Sequence, residues 1–334
     1  MIRIIYGIMV LLLVSCSERT NGQFSLIGKT SGLEDGTVIY IINADSQIED
    51  LIDSSIVKNN SFEFNKKLST SPLQVVIKTK DWEHYRYLWL ESNPMTFDAT
   101  QHDFENAIVT GSDTEDIVQP FRKQIENLSE DEQEKKELVF IQEHPSSIAS
   151  AEMLSLNCIY YGKDKSEELF DQFSRENKLS KYGKIISNYI NMYKGPDIGM
   201  KYIDFKMTDL NDNPMKLSEL EGKTILLEFW ASWCAPCRKE NPRLVQTYNK
   251  YHQKGFEIFA VSTDEKKKPW IRAIKKDSLD WYHVNDFKGN GNIASLIYGI
   301  KTLPESYLID KNGIIVAKNL HGDELDKKLE ELLN

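Results

Sequence analysis

The sequence predicts an α/β carboxyl-terminal domain preceded by a small antiparallel β domain and a helical region. In the first region apolar residues recur with a period near two, which is typical of strands with one buried face. In the second, rich in Glu and Lys, the spacing becomes helical. In the third, nearly continuous apolar segments alternate with helical ones, as in a sheet covered on both faces. We place these regions at 24–110, 113–194 and 197–334.

The charge balance narrows the possible partners. The 334 residues include 51 acidic and 41 basic side chains, for a net charge of −10. Nucleic acid is excluded as the main partner, since phosphate binding requires a basic surface. Hydrophobic residues make up 40% of the chain, which is enough to form buried cores in two or three domains.

The amino terminus has the pattern of an export signal. Residues 1–15 contain one positive charge and then an apolar segment that is short for a membrane span. Leu13-Val-Ser-Cys16 resembles the lipobox of bacterial lipoproteins, which implies cleavage before Cys16 and lipid modification of that residue. Residues 16–23 are then a polar tether. Export places the chain where disulfides persist.

Short segments of alternating hydrophobicity, separated by Gly, Asn and Ser-Pro, predict the strands of the first domain. The domain resembles the amino-terminal domain of unassigned role found on many lipoproteins of Bacteroidetes-type bacteria. Aromatic residues between Trp82 and Trp89 form either a binding surface or, more commonly, sheet packing. The predicted strands begin at Phe24, Thr37, Ser61, Leu73, Tyr85 and Met95.

Breaks near Ser129, Pro145, Gly162 and Ser180 divide the second region into four or five predicted helices. Its pattern is typical of a spacer or a platform for a partner. Cys158 lies inside one helical segment, where a lone cysteine is most often a small core residue.

The candidate catalytic residues lie in the third region. An apolar strand, Thr224 to Trp230, leads into Cys234-Ala-Pro-Cys237, and Pro236 is tolerated in the first turn of a helix. Unpaired N–H groups and the helix dipole favour an anion at such a helix start, so thiolate is stabilised over thiol. Cysteines in this setting have pKa values of roughly 3.5 to 7.5. We predict that Cys234, nearer the exposed end, attacks disulfides and that Cys237 resolves the mixed disulfide.

The remaining elements of the third region follow from the same patterns. Asn312-Gly313 between two apolar segments predicts a hairpin turn. Leucines on one face predict a final helix from Glu324 to Leu333. The other predictions are a strand near Phe205, a turn at 211–214, a short helix at 217–220, a strand at 256–262, a helix at 269–276, a strand at 281–284 and a short helix before Pro304.

The segment from Phe229 to Cys237 resembles the thioredoxin signature, and Cys-Ala-Pro-Cys-Arg-Lys-Glu resembles the periplasmic TlpA/ResA-type subgroup of that family. The resemblance covers 197–334 and implies a thioredoxin-like fold. It further implies that Glu228 is a buried acid assisting proton transfer at the second cysteine, and that Glu240 tunes the thiols. Thr302-Leu303-Pro304 resembles the cis-proline segment that presents the substrate chain, and Trp233 is expected to shape the rim of that site.

Each of these residues also has a simpler explanation. Glu228 could lie at a strand edge in solvent, although its place in an apolar segment favours burial. A glutamate such as Glu240 in a first helical turn stabilises the dipole whatever the chemistry. The two cysteines could be half of a zinc site, but no second pair or histidine pair has ligand spacing. We expect neither a metal nor an organic cofactor.

The resemblance implies a lipid-anchored periplasmic thiol-disulfide oxidoreductase on the cell membrane or outer membrane. It would reduce disulfides in exported cysteine-containing proteins, apocytochrome c among them. An upstream membrane thiol reductant would then reduce its own disulfide again. One alternative is a redox-sensitive adaptor whose amino-terminal domain recognises a partner. Another is a thiol peroxidase, which usually has a lone cysteine after a Thr-x-x motif that Ala231-Ser-Trp233 does not supply. Glu305 departs from the family pattern and is expected to put a carboxylate beside the substrate groove.

Overall fold

A computed structural model describes residues 23–44 and 50–333. The predicted signal peptide, the lipidation site Cys16 and the tether up to residue 22 lie outside the described residues. No helix within the described ranges has both the length and the apolar character needed to cross a membrane. The chain divides between Lys136 and Glu137 into two compact units.

The first unit contains two four-stranded sheets. Its strands are β1 (Gln23–Thr30), β2 (Val38–Asn43), β3 (Leu51–Ile56), β4 (Ser61–Lys67), β5 (Leu73–Lys78), β6 (Tyr85–Leu90), β7 (Pro94–Ala99) and β8 (Ile108–Thr110). The strand orders are β4-β1-β7-β8 and β3-β2-β5-β6. The pairs are antiparallel, as predicted, with one exception: β1 and β7 are parallel. Alternate residues of both sheets form a shared apolar core.

Helix α1 (Asp113–Ile125) begins at a buried polar cluster. The Oγ of Ser112 accepts a hydrogen bond from the N–H of Glu115 over 3.1 Å and donates one to Glu91, also over 3.1 Å. Glu115 accepts from the N–H of Trp89 over 3.0 Å, which ties α1 to β6. Trp89 is buried. For this member of the aromatic residues between Trp82 and Trp89, sheet packing is therefore the correct interpretation.

The region 113–194 contains six helices, more than the four or five predicted. After α1 they are α2 (Glu130–Glu143), α3 (Ile148–Tyr161), α4 (Lys163–Asp171), α5 (Arg175–Leu179) and α6 (Lys181–Met192). The four predicted breaks are present. The additional break precedes α5, where the Ser174 side chain accepts from the N–H of Asn177 and caps a helix of only five residues. Cys158 is a buried core residue, as predicted, and burial raises the pKa of its thiol to about 11.

The carboxyl-terminal part of the second unit has the predicted thioredoxin-like α/β fold. Its elements are β9 (Lys206–Thr208), β10 (Pro214–Lys216), β11 (Thr224–Trp230), α7 (Ala235–Tyr251), β12 (Phe256–Ser262), α8 (Lys267–Asp277), β13 (Tyr282–Val284), α9 (Ile293–Tyr298), β14 (Glu305–Ile309), β15 (Ile315–Lys318) and α10 (Gly322–Leu333). A five-stranded sheet has the order β13-β12-β11-β14-β15. Every residue of β11 and β12 is buried, because apolar cores cover both faces of the sheet.

Two local predictions in this domain are confirmed. The hairpin between β14 and β15 turns at Asn312-Gly313, where Gly313 has a φ of 82°. The predicted short helix at 217–220 is a 3₁₀ helix.

Within the second unit, the helical region is bound to the end of α9 and to the loop that follows it. The N–H of Lys194 donates to the carbonyl of Ile297 over 3.0 Å. The ring of Tyr193 packs so closely on Gly299 that a Cβ there would lie 2.4 Å from it. The ammonium of Lys301 donates to the carbonyl of Tyr160 over 3.1 Å. These contacts fix the segment before Pro304 against α3 and α6.

Candidate active site

The two cysteines lie at the junction of β11 and α7, as the sequence predicts. Cys234 is the N-cap residue of α7, and its Sγ accepts a hydrogen bond from the N–H of Cys237 over 3.2 Å. The two sulfurs are joined in a disulfide. In the reduced protein the same N–H and the amino terminus of α7 favour a thiolate at Cys234.

The two sulfurs differ in access. Cys237 is fully buried, whereas Cys234 is 3% exposed and lines a groove of about 340 Å³. Trp233, beside it, is 64% exposed and forms part of the groove wall, which agrees with its predicted place at the rim. A disulfide that enters the groove therefore meets Cys234 first.

The Leu303-Pro304 segment lies beside the groove that Cys234 lines. The peptide bond between these residues is cis, as predicted from the family resemblance. Leu303 lines the groove with Cys234. Within the described part of the chain, the backbone of Leu303 makes no hydrogen bond. Its N–H and C=O are therefore available to an extended peptide.

Glu228 is buried within the central strand, 5% exposed, which excludes the solvent-edge explanation. Among described residues its carboxyl has no hydrogen-bond partner; instead it lines a cavity of about 20 Å³, roughly the volume needed for one water molecule. Burial raises the pKa of Glu228 to about 8, and the negative charge of Glu240 acts in the same direction. A carboxyl with this pKa exchanges protons near neutral pH, as a proton-transfer group requires.

Glu240 lines the same cavity and lies in the second turn of α7, not in the first turn as the simpler explanation from the sequence required. Its Oε1 is 3.3 Å from Nδ1 of His321, which also lines the cavity. Glu240 therefore acts on Glu228 through its charge, whereas its predicted effect on the thiols stays a prediction. His321 was not predicted from the sequence, because nothing local in the chain connects this histidine to Glu240.

A second missed residue, Asp264, holds the loop before the cysteines. Its Oδ2 accepts from the N–H of Ser232 over 2.8 Å, and the hydroxyl of Ser232 donates to Oδ1. The guanidinium of Arg238 donates to the carbonyl of Ser232 over 3.0 Å and pairs with Asp277. Asp264 is 2% exposed. Its position just after β12, at the carboxyl end of a buried strand, was the signal that could have identified it.

The expectation for Glu305 is wrong. Glu305 is not among the residues that line the groove; its Oε1 accepts a hydrogen bond from the hydroxyl of Tyr307 over 2.9 Å. Local pairing with Tyr307 explains why the carboxylate does not face the substrate side.

Among the described residues, no group of three or more His, Cys, Asp or Glu side chains is arranged to hold a metal ion. The two sulfurs and the buried carboxyl of Glu228 are the groups of this site that can exchange electrons or protons. A cysteine pair at a helix start, with one sulfur in a groove beside a cis-proline, defines a thiol-disulfide exchange site on a thioredoxin-like fold.

Comparisons with known proteins agree with this class. The AhpC/TSA family matches residues 198–318, and the family described as "Domain of unknown function (DUF4369)" matches residues 24–118. Thiol-disulfide oxidoreductase ResA of Bacillus cereus is 34% identical over 149 residues, which cover 45% of this chain and 84% of that protein.

Solved structures with similarity to this chain include two from Bacteroides. The thioredoxin domain of a thiol-disulfide oxidoreductase of Bacteroides vulgatus is 37% identical, with a TM-score of 0.39, over 41% of this chain and 99% of that one. The carboxyl-terminal domain of a putative thiol-disulfide oxidoreductase of Bacteroides thetaiotaomicron is 34% identical, with a TM-score of 0.40, over 42% of this chain and 97% of that one.

The chain belongs to the ResA family of thioredoxin-like thiol-disulfide oxidoreductases, because it covers 84% of a ResA protein at 34% identity.

Proposed function

We propose that this oxidoreductase reduces disulfides of exported proteins, with Cys234 as the attacking sulfur. This proposal is supported mainly by the difference in access between the two cysteines. Of the two, Cys234 lines the groove, whereas Cys237, disulfide-bonded to it, is buried. The dithiol form of the protein begins the reaction, and the disulfide form described above is its product.

In the first step, the Cys234 thiolate attacks one sulfur of the substrate disulfide. A bond forms between Sγ of Cys234 and that sulfur, the substrate S–S bond breaks, and the second substrate sulfur leaves as a thiolate that takes up a proton. Leu303 and Pro304 present the substrate chain, with the free backbone groups of Leu303 pairing to it.

In the second step, Cys237 loses its proton and attacks Sγ of Cys234. The mixed disulfide breaks, the remaining substrate sulfur is released and protonated, and the Cys234–Cys237 disulfide forms. The substrate gains two electrons and two protons. We assign the proton transfer at Cys237 to Glu228, whose pKa of about 8 allows it to act as a base and then an acid. Glu240 tunes this exchange by its charge.

The enzyme must then be reduced again, and we assign this to an upstream membrane thiol reductant. The clients are exported cysteine-containing proteins, apocytochrome c among them. The reductive direction predicts a potential nearer the roughly −270 mV of reducing CxxC proteins than the roughly −120 mV of oxidising ones. Equilibration with redox buffers measures it, and a value near the oxidising end would reverse the proposed direction.

The proposed location is the periplasmic side of a membrane, with a lipid on Cys16 as the anchor. The support is the Leu13-Val-Ser-Cys16 pattern after an apolar signal. Detergent phase partition of the wild type and a Cys16→Ala variant checks it: the wild type should enter the detergent phase. Equal partition of both proteins would contradict the anchor.

Turnover tests the proposed function against an adaptor role. The protein with both active-site cysteines reduced should reduce insulin disulfides faster than an equal concentration of free dithiol. A Cys234→Ser variant should fall to the background rate, whereas a Cys158→Ser variant should keep its activity. A wild-type rate no higher than that of the free dithiol would favour the adaptor.

A further inference from the structure

The groove beside Cys234 is built from four separate parts of the chain, one of which is Asn290. One wall is the loop with Trp233 and the start of α7, and a second is the segment from Ile300 to Leu303. The third is Tyr160, in the last turn of α3, which belongs to the helical region rather than to the thioredoxin-like fold. The helical region thus reaches the reacting sulfur.

Tyr160 is held at the groove by its backbone. The ammonium of Lys301 donates to the carbonyl of Tyr160 over 3.1 Å, at a helix carboxyl terminus where a cation is favourable. The contact of Tyr193 with Gly299 fixes the same loop from α6. The contact with Lys301 involves the backbone of Tyr160 and leaves its side chain about half exposed at the groove.

Several large apolar side chains at this surface are exposed. Trp233 is 64% exposed and Tyr160 is 52% exposed. Leu156, four residues before Tyr160 and so on the same face of α3, is 68% exposed. Large apolar side chains grouped beside a reacting atom are typical of a binding surface.

The charges of the groove indicate what binds there. Among its lining residues, all within the described ranges, Lys301 is the one charged side chain, and its ammonium donates to the backbone carbonyl of Tyr160. These walls therefore offer a small ionic disulfide such as oxidised glutathione no charge other than this one ammonium. An extended polypeptide finds the unpaired backbone of Leu303 and an aromatic pocket for a neighbouring side chain.

We propose that α3 is part of the substrate site and that Tyr160 is a specificity-determining residue. Tyr160 and Trp233 together hold a large aromatic or aliphatic side chain next to the disulfide cysteine of a polypeptide substrate, and Leu156 extends this surface by one helical turn. This inference rests on the proposed reduction of protein disulfides and adds the chemical class of the segment recognised.

The test uses three substrates: a disulfide-linked peptide with Phe next to its cysteine, the same peptide with Ser there, and oxidised glutathione. The wild type should prefer the Phe peptide. Tyr160→Ala should lower kcat/KM for the Phe peptide, relative to oxidised glutathione, by roughly 2- to 12-fold, mainly through KM, which corresponds to the 0.5–1.5 kcal/mol of an aromatic pair. Tyr160→Phe should behave like the wild type.

Leu179→Ala is the matched control, since Leu179 is 63% exposed on α5 and does not line the groove. It should leave all three rates unchanged. Circular dichroism checks that each variant folds, which is expected because both substituted side chains are exposed.

Two results would overturn the role of Tyr160 and leave the proposed function intact. One is normal reduction by the wild type with no preference for the Phe peptide. The other is an equal loss of kcat/KM on all three substrates in Tyr160→Ala. Sedimentation provides a further check. A wild-type dimer that Tyr160→Ala dissociates, with unchanged peptide kinetics, would assign this surface to a second copy of the chain instead. A wild type that reduces none of the three substrates would overturn the proposed function itself.

Discussion

The N–H of Cys237 donates to Sγ of Cys234 over 3.2 Å at the first turn of α7. This relationship predicts different reactivities for the cysteines of the reduced protein. Cys234 should be alkylated first by iodoacetamide at pH 7, because it is both accessible and stabilised as a thiolate. Cys158 should react only after unfolding, since burial raises its pKa to about 11. Peptide mass spectrometry measures the order, and faster labelling of Cys237 than of Cys234 would contradict it.

Glu228 should make the stability of the disulfide form depend on pH. Its folded pKa of about 8 lies above the ordinary value of 4.5, so between these limits the folded state holds a proton that the unfolded state releases. The free energy of unfolding therefore falls as pH rises through this window. Glu228→Gln should lack this fall and exceed the wild type at pH 9 by at least ~2 kcal/mol, since one pKa unit corresponds to roughly 1.4 kcal/mol.

Urea unfolding of both proteins at pH 6 and pH 9 gives the comparison. The disulfide form is used because its cysteines do not titrate. If the difference between the two proteins is the same at both pH values, Glu228 does not titrate in this window.

Glu240 should set part of the Glu228 pKa. Because the charge of Glu240 raises that pKa, Glu240→Gln should lower it and move the pH-dependent fall in stability to lower pH. The pH profile of the unfolding free energy measures the midpoint. Glu176→Gln, at an exposed position on α5, is the control and should leave the midpoint in place. An unmoved midpoint in Glu240→Gln would mean that burial alone sets the pKa.

Asp264 should position the loop that carries Cys234. Asp264→Ala removes the acceptor of both Ser232 bonds and of the buried Ser262 hydroxyl, and should lower stability by about 1–3 kcal/mol, since it leaves these donors unpaired. Insulin reduction should slow as well, because the loop is no longer fixed.

Ser232→Ala is the matched variant, since it removes one hydroxyl and keeps the N–H bond to Asp264. Its effect on the rate and the melting temperature should be smaller. An equal rate in Asp264→Ala and the wild type would show that the loop is positioned by other contacts.

The sequence predicted the elements whose signals are local. The apolar strand, the two cysteines and Pro236 are adjacent in the chain, so the β11–α7 junction could be placed without a structure. Pairings between distant segments could not: alternation does not show that β1 lies parallel to β7. The five-residue helix α5 is too short for its periodicity to be recognised.

The missed site residues have the same explanation. Asp264 contacts Ser232 across 32 residues, and Lys301 contacts Tyr160 across 141. Neither pair forms a motif, because each depends on which loops the fold brings together. Glu228 and Pro304 were given their roles only through a family resemblance, and the structure confirmed the predicted burial that raises the Glu228 pKa.

Trapping in cells tests the central claim most directly. Cys237→Ser removes the resolving thiol, so mixed disulfides between Cys234 and its substrates should accumulate. We expect adducts, identified by mass spectrometry after non-reducing separation, to contain exported cysteine proteins and to disappear in the double variant with Cys234→Ser. A Cys237→Ser protein that yields no adduct dependent on Cys234 would contradict the exchange mechanism.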